Sequence, residues 1–178
     1  MAILKIARMG HPVLLARAAM VEDPTVPEIR RLLADMTETL ADAGGVGLAA
    51  PQVYSSLRLF LFHVPATRSD TGRALPLRAV INPEITPLDS VMVLGWEGCL
   101  SIPGLRAAVP RYAAIRLTGL NADGTGFEET LTGFAARVVQ HETDHLDGVL
   151  YPMRMEDFRY FGYNEELERH PAPLPETI

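Results

Sequence analysis

The chain has 178 residues, of which 48% are hydrophobic and 21% charged, close to the average for a soluble domain. A chain of this length buries roughly 70% of the surface that its unfolded form exposes, so we predict a single domain over 1–178. The formal net charge of −6 and the lack of any Lys/Arg run argue against direct binding to nucleic acid. No apolar run approaches the ~20 residues of a membrane span, so membrane binding is not predicted either.

The first segment, MAILKIARMGHPVLLARA, has scattered basic residues and no continuous apolar run that ends in a cleavage site. We therefore expect no signal peptide and a cytoplasmic location. The one cysteine, Cys99, excludes an internal disulfide. In a reducing compartment its thiol would stay free or bind a metal.

The first predicted element is a helix from Pro27 to about Ala43. Apolar residues recur there on one face at helical spacing, namely Ile29, Leu32, Leu33, Met36, Leu40 and Ala43. Pro27 suits a first turn, and the Gly44–Gly45 pair ends the helix. The next segment, GGVGLAAPQ at 44–52, favours a close approach of the backbone to a ligand or a neighbouring strand, or else a plain turn.

Strand-like runs follow at 57–64, 78–82, 91–94, 112–120 and 126–132. The last two flank NADGTG, whose Asp-Gly pair predicts a hairpin. The segment GWEGCLSIPG at 95–104 lacks strand periodicity and is interpreted as a glycine-rich loop that carries Cys99. Because these runs follow one another without helices between them, we predict an α+β fold with antiparallel or mixed sheets.

A second helix is predicted from about Gly133 to Leu146, with Gly148 just past its end. Four of its residues share one face at spacings of four, three and four: Phe134, Val138, His141 and His145. We expect that face to point into the interior. The remaining segment, 156–178, is predicted to hold a short helix and a loose, Pro-rich tail.

The second helix contains H-E-x-x-H within QHETDH at 140–145. Two histidines four residues apart can bind one metal ion, and Glu142 between them can take a proton from bound water. The alternative is a pair of core histidines beside a surface glutamate. A hydrolytic metal of this type needs a third protein ligand.

Three residues are candidates for that third ligand. Tyr151 stands where the longer H-E-x-x-H-x-x-G-x-x-H pattern has its last histidine, a role that tyrosine does not fill. Glu165 lies in NEELE, which is similar to the Asn-Glu motif of thermolysin-like peptidases, but acidic runs near a terminus are usually solvated. Cys99 would complete a Cys-His₂ set with a fourth position for water, although a lone cysteine is more often a core residue.

Three segments, GVGLAAPQ at 45–52, EGCLS at 97–101 and QHETDH at 140–145, occur in this order and resemble the three motifs of the peptide deformylases. The resemblance extends from RMGHPVL at 8–14 to YPMRM at 151–155. It implies a metal-dependent hydrolase that removes the N-formyl group from the formyl-methionine of nascent polypeptides and releases formate. It also implies a single α+β domain built around the H-E-x-x-H helix.

The resemblance implies three ligands for one divalent metal ion: Cys99, His141 and His145. That ion would be iron(II) in the cell, with zinc, nickel or cobalt as replacements. Glu142 would act as a base and then as an acid. The side-chain amide of Gln52 and the backbone N–H of Leu100 would stabilise negative charge on the formyl oxygen.

The substrate-binding residues that the resemblance implies are Gly45, Val46, Gly47, Glu97, Gly98, Arg106 and Val138. The backbone near Val46 would pair with the extended peptide as an added strand, and Val138 would line an apolar methionine pocket. Arg106 would lie near the peptide backbone, paired with Glu97, or form a surface salt bridge. Arg137 departs from the pattern because an apolar residue is expected beside the pocket; alternatively its stem packs while its head reaches water.

The implied partners are formyl-methionyl peptides and, transiently, the ribosome, although the tail after Met155 is not the basic helix that some deformylases use for docking. Two other functions stay open from the residues alone. One is an H-E-x-x-H peptidase that uses Glu165. The other is a non-catalytic metal or peptide-binding module, which would need neither Glu142 nor Gln52.

Overall fold

The computed structural model describes residues 2–174. The helices are α1 (Pro27–Ala43), α2 (Gly133–Leu146) and α3 (Asn164–Arg169). The strands are β1 (Gly47–Ala49), β2 (Leu59–Val64), β3 (Leu75–Pro87), β4 (Met92–Cys99), β5 (Ile102–Tyr112), β6 (Ala114–Leu120), β7 (Gly126–Thr132) and β8 (Phe161–Tyr163). Both long helices have the bounds that the sequence periodicity predicts.

The strands form one sheet of five, in the order β1-β2-β3-β6-β7, and one of three, in the order β4-β5-β8. Every strand pair in these two sheets is antiparallel. The predicted α+β class with antiparallel sheets is therefore confirmed. Strands β1 and β4 each lie at the edge of their sheet, and α2 contacts both sheets through β1, β2 and β5.

The five-stranded sheet lies between the two long helices. Leu59 and Leu61 of β2 pack with the apolar face of α1, whereas Phe60 and Phe62 pack with α2. Successive side chains of a strand point to opposite faces, so one apolar strand packs against both helices. This arrangement places α2 in the interior, with the large sheet on one side and β5 on another.

Both long helices end at glycines with positive φ. Gly44 has φ 65° after α1, and Gly148 has φ 74° after α2. Beyond α2, the N–H of Val149 donates to the carbonyl of Asp144 at 2.8 Å, and the N–H of Gly148 donates to that of His145 at 3.4 Å. This is the Schellman pattern, and it satisfies the last carbonyls of the helix that carries H-E-x-x-H.

The interpretation of GWEGCLSIPG as a loop is wrong. Strand β4 runs through to Cys99 and β5 begins at Ile102, so the thiol lies at the tip of a β-hairpin. The pairing shifts register between Gly98 and Cys99. Glycines at 95 and 98 contribute no side chain to the alternation by which a strand is recognised in a sequence.

Strands β6 and β7 form the hairpin predicted around NADGTG, closed by a bond from the N–H of Asn121 to the carbonyl of Thr125 at 2.8 Å. After Met155 the chain forms β8, which pairs with β5, and then α3. Residues 175–178 of the predicted tail lie outside the described residues. Across 2–174 no helix has the length and hydropathy needed to cross a membrane.

Candidate metal centre

The H-E-x-x-H residues of α2 face the interior. His141 is 9% exposed, Glu142 4% and His145 1%. Residues four apart lie one above the other on a helix, and the two imidazole centroids are 5.0 Å apart. The helix therefore supplies a pair of close, buried imidazoles with a buried carboxylate between them.

Cys99, at the end of β4, completes this group. Its Sγ lies 3.2 Å from Nε2 of His145, and one ligand atom each from Cys99, His141 and His145 all lie within 4.8 Å of one another. Tyr151 instead packs its ring against His141, with centroids 6.2 Å apart, and Glu165 lies on α3. Among the His, Cys, Asp and Glu side chains of 2–174, Glu165 does not join the cluster of Cys99 with the two histidines.

The donor set fits a divalent transition metal. One thiolate and two imidazoles suit zinc or iron(II) and leave a coordination position open. Two buried atoms at the site, Nδ1 of His145 and Oε2 of Glu142, have no hydrogen-bond partner among the described residues. Buried polar atoms are nearly always paired, so the free oxygen of Glu142 indicates a place where a water molecule or substrate group is received.

The electrostatics of the group favour a thiolate. Burial raises the pKa of the Cys99 thiol, but the charge of His145 and hydrogen bonds from both histidines outweigh burial, so this pKa lies well below its usual range. Burial lowers the pKa of His141, but its contacts with Cys99 and Glu97 raise that pKa well above its usual range. The thiolate is the form of cysteine that binds metal ions.

Glu142 titrates differently from an ordinary carboxylate. Burial raises the pKa of Glu142 to about 7. A group with a pKa near neutrality can both take up and release a proton at the pH of a cell. Glu142 therefore has both the position, between two histidines, and the pKa that a general base and acid requires.

Glu97 of β4 orients His141. Its Oε2 lies 2.9 Å from Nδ1 of His141, which leaves Nε2 as the atom available to an ion. Arg111 donates to both carboxylate oxygens of Glu97, at 2.9 and 3.0 Å. Burial raises the pKa of Glu97, but the bonds from His141 and Arg111 outweigh burial and hold this pKa well below its usual range.

The predicted pairing of Glu97 with Arg106 is wrong. Arg106 is opposite Gly98 in the β4–β5 register, and Glu97, the neighbour of Gly98, points to the other face of the sheet. Arg106 instead lies over the ring of Trp96, 5.5 Å from its centroid, and 3.9 Å from Glu168. Its charge is directed away from the candidate metal ligands.

A buried network of charges, missed from the sequence, extends this site behind α2. Arg111 donates to Asp144 at 2.6 Å, and Arg154 donates to the same carboxylate at 2.7 Å. The sequence did carry one signal for it, because Asp144 directly precedes His145, on a helix with one face predicted to point into the interior, and a buried carboxylate needs a partner. The identity of that partner depends on how distant segments pack.

Arg137 belongs to the same network, and the alternative in which its head reaches water is wrong. Its side chain is 12% exposed. The guanidinium donates to Oε1 of Glu97 at 2.9 Å and to the carbonyls of Val93, Gly95 and Val109 at 2.6, 3.3 and 2.7 Å. Glu97 is thus held by two arginines.

A cavity of about 400 Å³ opens beside the candidate metal ligands. It is lined by Cys99, His141 and Glu142, and by the candidate oxygen-binding residues Gln52 and Leu100. Six of the predicted substrate-binding residues also line it: Gly45, Val46, Gly47, Glu97, Gly98 and Val138. The seventh, Arg106, does not, although its neighbour Leu105 does.

The amide of Gln52 is held in one orientation. Its Oε1 accepts from the backbone N–H of Ala49 at 2.9 Å. Its Nε2 donates to Oγ of Ser101 at 3.1 Å and points at Sγ of Cys99 at 3.5 Å. The donor end of a 2% exposed amide is therefore beside the candidate metal ligand Cys99.

Comparison with known sequences gives one consistent result. Residues 3–160 match the family model of polypeptide deformylase. The chain is 48% identical over 163 residues to peptide deformylase 1 of Nitrosomonas europaea, covering 91% of this chain and 93% of that one. It is 51% identical over 163 residues to peptide deformylase 1 of Bordetella pertussis, with the same two coverages of 91% and 93%.

Solved structures agree with the sequences. The class I type b peptide deformylase from Acinetobacter baumannii with Met-Ala-Ser bound has a TM-score of 0.80 and 36% identity, covering 86% of this chain and 99% of that one. Peptide deformylase from Thermotoga maritima has a TM-score of 0.79 and 39% identity, covering 88% of this chain and 100% of that one.

Proposed function

The chain belongs to the polypeptide deformylase family, metal-dependent hydrolases that remove the formyl group from nascent polypeptides, and we propose which residues perform this reaction here. The proposed metal ligands are Cys99, His141 and His145. The observation that carries the assignment is the cluster of their ligand atoms within 4.8 Å of one another, beside the unpaired Oε2 of Glu142. A divalent ion held there supplies a Lewis acid that polarises a carbonyl and lowers the pKa of water toward about 7.

Glu142 is the proposed proton carrier. Its carboxylate takes a proton from the attacking water and later gives it to the amine that leaves as the formamide bond breaks. A pKa of about 7 suits both steps. The close packing of Glu142 on Gly47, where a Cβ would lie 2.2 Å from Oε1, holds the carboxylate beside the peptide.

The proposed donors to the formyl oxygen are Nε2 of Gln52 and the backbone N–H of Leu100. Negative charge develops on this oxygen as water attacks the formyl carbon, and donors already in place stabilise it without reorganisation. The 3.5 Å approach of Nε2 to the thiol of Cys99 is the weaker of its contacts. That is the contact which Gln52 can exchange for the substrate oxygen.

The substrate peptide is proposed to lie extended between the two open sheet edges. Residues Gly45 to Gly47 lead into edge strand β1, and Gly98 lies on edge strand β4 across the same cavity. Pairing with the main chain ignores side-chain identity, which suits an enzyme that acts on many nascent sequences. Val138 is proposed to line the pocket for the first side chain of the peptide. Arg106 is proposed to lie near the outer part of the peptide.

We also propose iron(II) as the ion in the cell, since thiolate and imidazole ligands suit iron as well as zinc; zinc, nickel or cobalt would replace it. The remaining proposals are a single domain over 1–178, a cytoplasmic location and transient association with the ribosome. The substrates are formyl-methionyl peptides. The Met-Ala-Ser peptide bound to the Acinetobacter baumannii enzyme has the form of the expected product.

One experiment tests the ligand set against the peptidase alternative. The protein is purified without oxygen, its bound metal is measured, and formate release from a formyl-methionyl peptide is followed for the wild type, Cys99→Ser and Glu165→Ala. We expect Cys99→Ser to lose metal-dependent formate release and Glu165→Ala, the matched control on α3, to retain it. Activity that survives in the first variant, or disappears in the second, contradicts the assignment.

A further inference from the structure

Arg137 forms part of the cavity wall one turn before His141 on α2. Its guanidinium binds the carboxylate of Glu97 and the backbone carbonyls at 93, 95 and 109. A planar guanidinium with this many fixed acceptors cannot shift without giving up these bonds, and each partner that is left buried and unpaired costs about 1–3 kcal/mol. This part of the wall is therefore rigid, unlike one made by a flexible apolar side chain.

Gly95 of β4 makes this position of the guanidinium possible. A Cβ at residue 95 would lie 2.7 Å from both Cζ and Nη2 of Arg137 and 2.9 Å from its Nε. Real Cβ atoms do not approach other heavy atoms this closely, so any larger residue at position 95 would displace the guanidinium. Arg137 lines the cavity whereas Gly95 does not, so the arginine head occupies the space that a β4 side chain would take.

The neighbours of Arg137 show which part of the substrate meets this wall. Phe134, Val138 and His141 lie on the same side of α2 and line the same cavity. An apolar side chain that enters beside Val138 and His141 runs toward Arg137, because residues three and four apart share a helix face. The charge of the guanidinium is balanced there by Glu97.

We propose that the Arg137–Gly95 pair sets the depth of the pocket for the first side chain of the substrate and so determines its size specificity. This inference rests on the proposed function, since it takes the cavity as the site of the formyl peptide. Because four acceptors hold the guanidinium of Arg137 in place, the pocket admits an unbranched apolar side chain of limited length and excludes a bulky aromatic one. The alternative is that Arg137 only braces β4 against α2.

The test compares three formyl peptides that differ only in the first residue: norvaline, methionine and phenylalanine. In Arg137→Leu the head is removed, so the pocket deepens, and kcat/KM for phenylalanine relative to methionine should rise about 10-fold or more. In Gly95→Ala the new Cβ pushes the head toward the cavity, so kcat/KM for norvaline relative to methionine should rise. Both ratios are internal to one variant, so a general loss of activity does not affect them.

Arg111→Lys is the matched control. It loosens the same carboxylate, Glu97, from the side away from the cavity, because Arg111 does not line the cavity. We expect it to lower kcat for all three peptides and to leave both ratios unchanged. Metal content and the midpoint of thermal unfolding are measured for every variant.

Unchanged ratios in Arg137→Leu and Gly95→Ala, with formate still released from formyl-methionine, would overturn the inference and leave the function intact. Failure of the wild type to release formate would instead overturn the proposed function. If Arg137→Leu does not fold, Gly95→Ala decides alone, because it keeps the charge of Arg137 and deletes no side chain. A shift of the ratios in Arg111→Lys equal to that in Arg137→Leu would also count against the proposal.

Discussion

At the scale of single residues, one side chain often makes two contacts with different consequences. The oxygen of the Gln52 amide binds the backbone N–H of Ala49, and the nitrogen faces Ser101 and Cys99. The first contact stabilises the turn after β1. The second fixes the donor that the proposed reaction uses.

Gln52→Leu separates the two consequences. Loss of the donor should lower kcat by about 10²–10³, while the orphaned N–H of Ala49 should cost about 1–3 kcal/mol of stability. Gln140→Leu is the control, since this buried amide binds the backbone of Tyr112 and lies outside the substrate cavity. It should lose comparable stability in urea and keep its kcat within a few-fold; equal losses of kcat in the two variants would remove Gln52 from the mechanism.

Gly47 sets the position of the Glu142 carboxylate, the proposed catalytic base. Because an added Cβ would lie 2.2 Å from Oε1 of Glu142, Gly47→Ala should displace that carboxylate and lower kcat at least about 10²-fold, the scale of a general base. Gly126→Ala on β7 is the control, as its Cβ would meet nothing nearer than 4.0 Å. Steady-state kinetics check both, and a Gly47→Ala enzyme with normal kcat would show that Glu142 can act from another position.

The sequence indicated some of the site residues and not others, for a physical reason. His141, Glu142 and His145 follow from the geometry of one helix, which is local in sequence. Arg111 and Arg137 bind Glu97 from different segments, and only the packing of β4, β5 and α2 brings these charges together. When the partner of a charged side chain depends on the packing of distant segments, no local sequence pattern predicts that partner.

At the scale of elements, α1 and α2 were predicted with their observed bounds because helical periodicity and terminal glycines are local signals. The hairpin of β4 and β5 was not, because glycines interrupt its alternation and no predicted strand covers 102–111. The grouping of strands into two sheets depends on pairings such as β3 with β6, which join distant parts of the chain. The prediction that Cys99 lies beside the two histidines came from the motif resemblance and not from periodicity.

The glycines that end the two long helices should differ in their tolerance of a side chain. Gly44→Ala meets no atom within 4 Å and is strained by its φ of +65° alone, which costs about 1–2 kcal/mol. In Gly148→Ala the Cβ would also lie 2.6 Å from the carbonyl oxygen of Leu15, so the loss should be clearly larger. Urea unfolding of both variants measures the difference; equal losses would show that the backbone at Leu15 yields freely.

At the scale of the whole molecule, one buried network joins the smaller sheet to the helix of the metal centre. Glu97 lies on β4, Arg111 on β5 and Asp144 on α2, and Arg111 binds both carboxylates. Arg154 reaches Asp144 from the turn after α2, and its side chain is 49% exposed. The network thus runs from the surface to the proposed ligand His141.

Removing one partner from a buried ion pair typically costs about 3–5 kcal/mol because the remaining charge is left unpaired. We expect Arg111→Leu to lose this much and to lower kcat, since Glu97 then holds His141 less firmly. Arg154→Ala should cost about 0–1 kcal/mol, because exposed pairs contribute little. Chemical denaturation checks both values, and a stable, fully active Arg111→Leu would mean that Arg137 alone is sufficient to hold Glu97.

The cavity lined by Cys99 and His141 has a consequence for the supply of the ion itself. The third proposed ligand, His145, is 1% exposed and lies deeper, on a helix that contacts both sheets. An ion that enters or leaves through this opening uses the space that a peptide fills during turnover. Catalysis would then protect the metal from exchange, and an idle enzyme would be the one most open to replacement of one divalent ion by another.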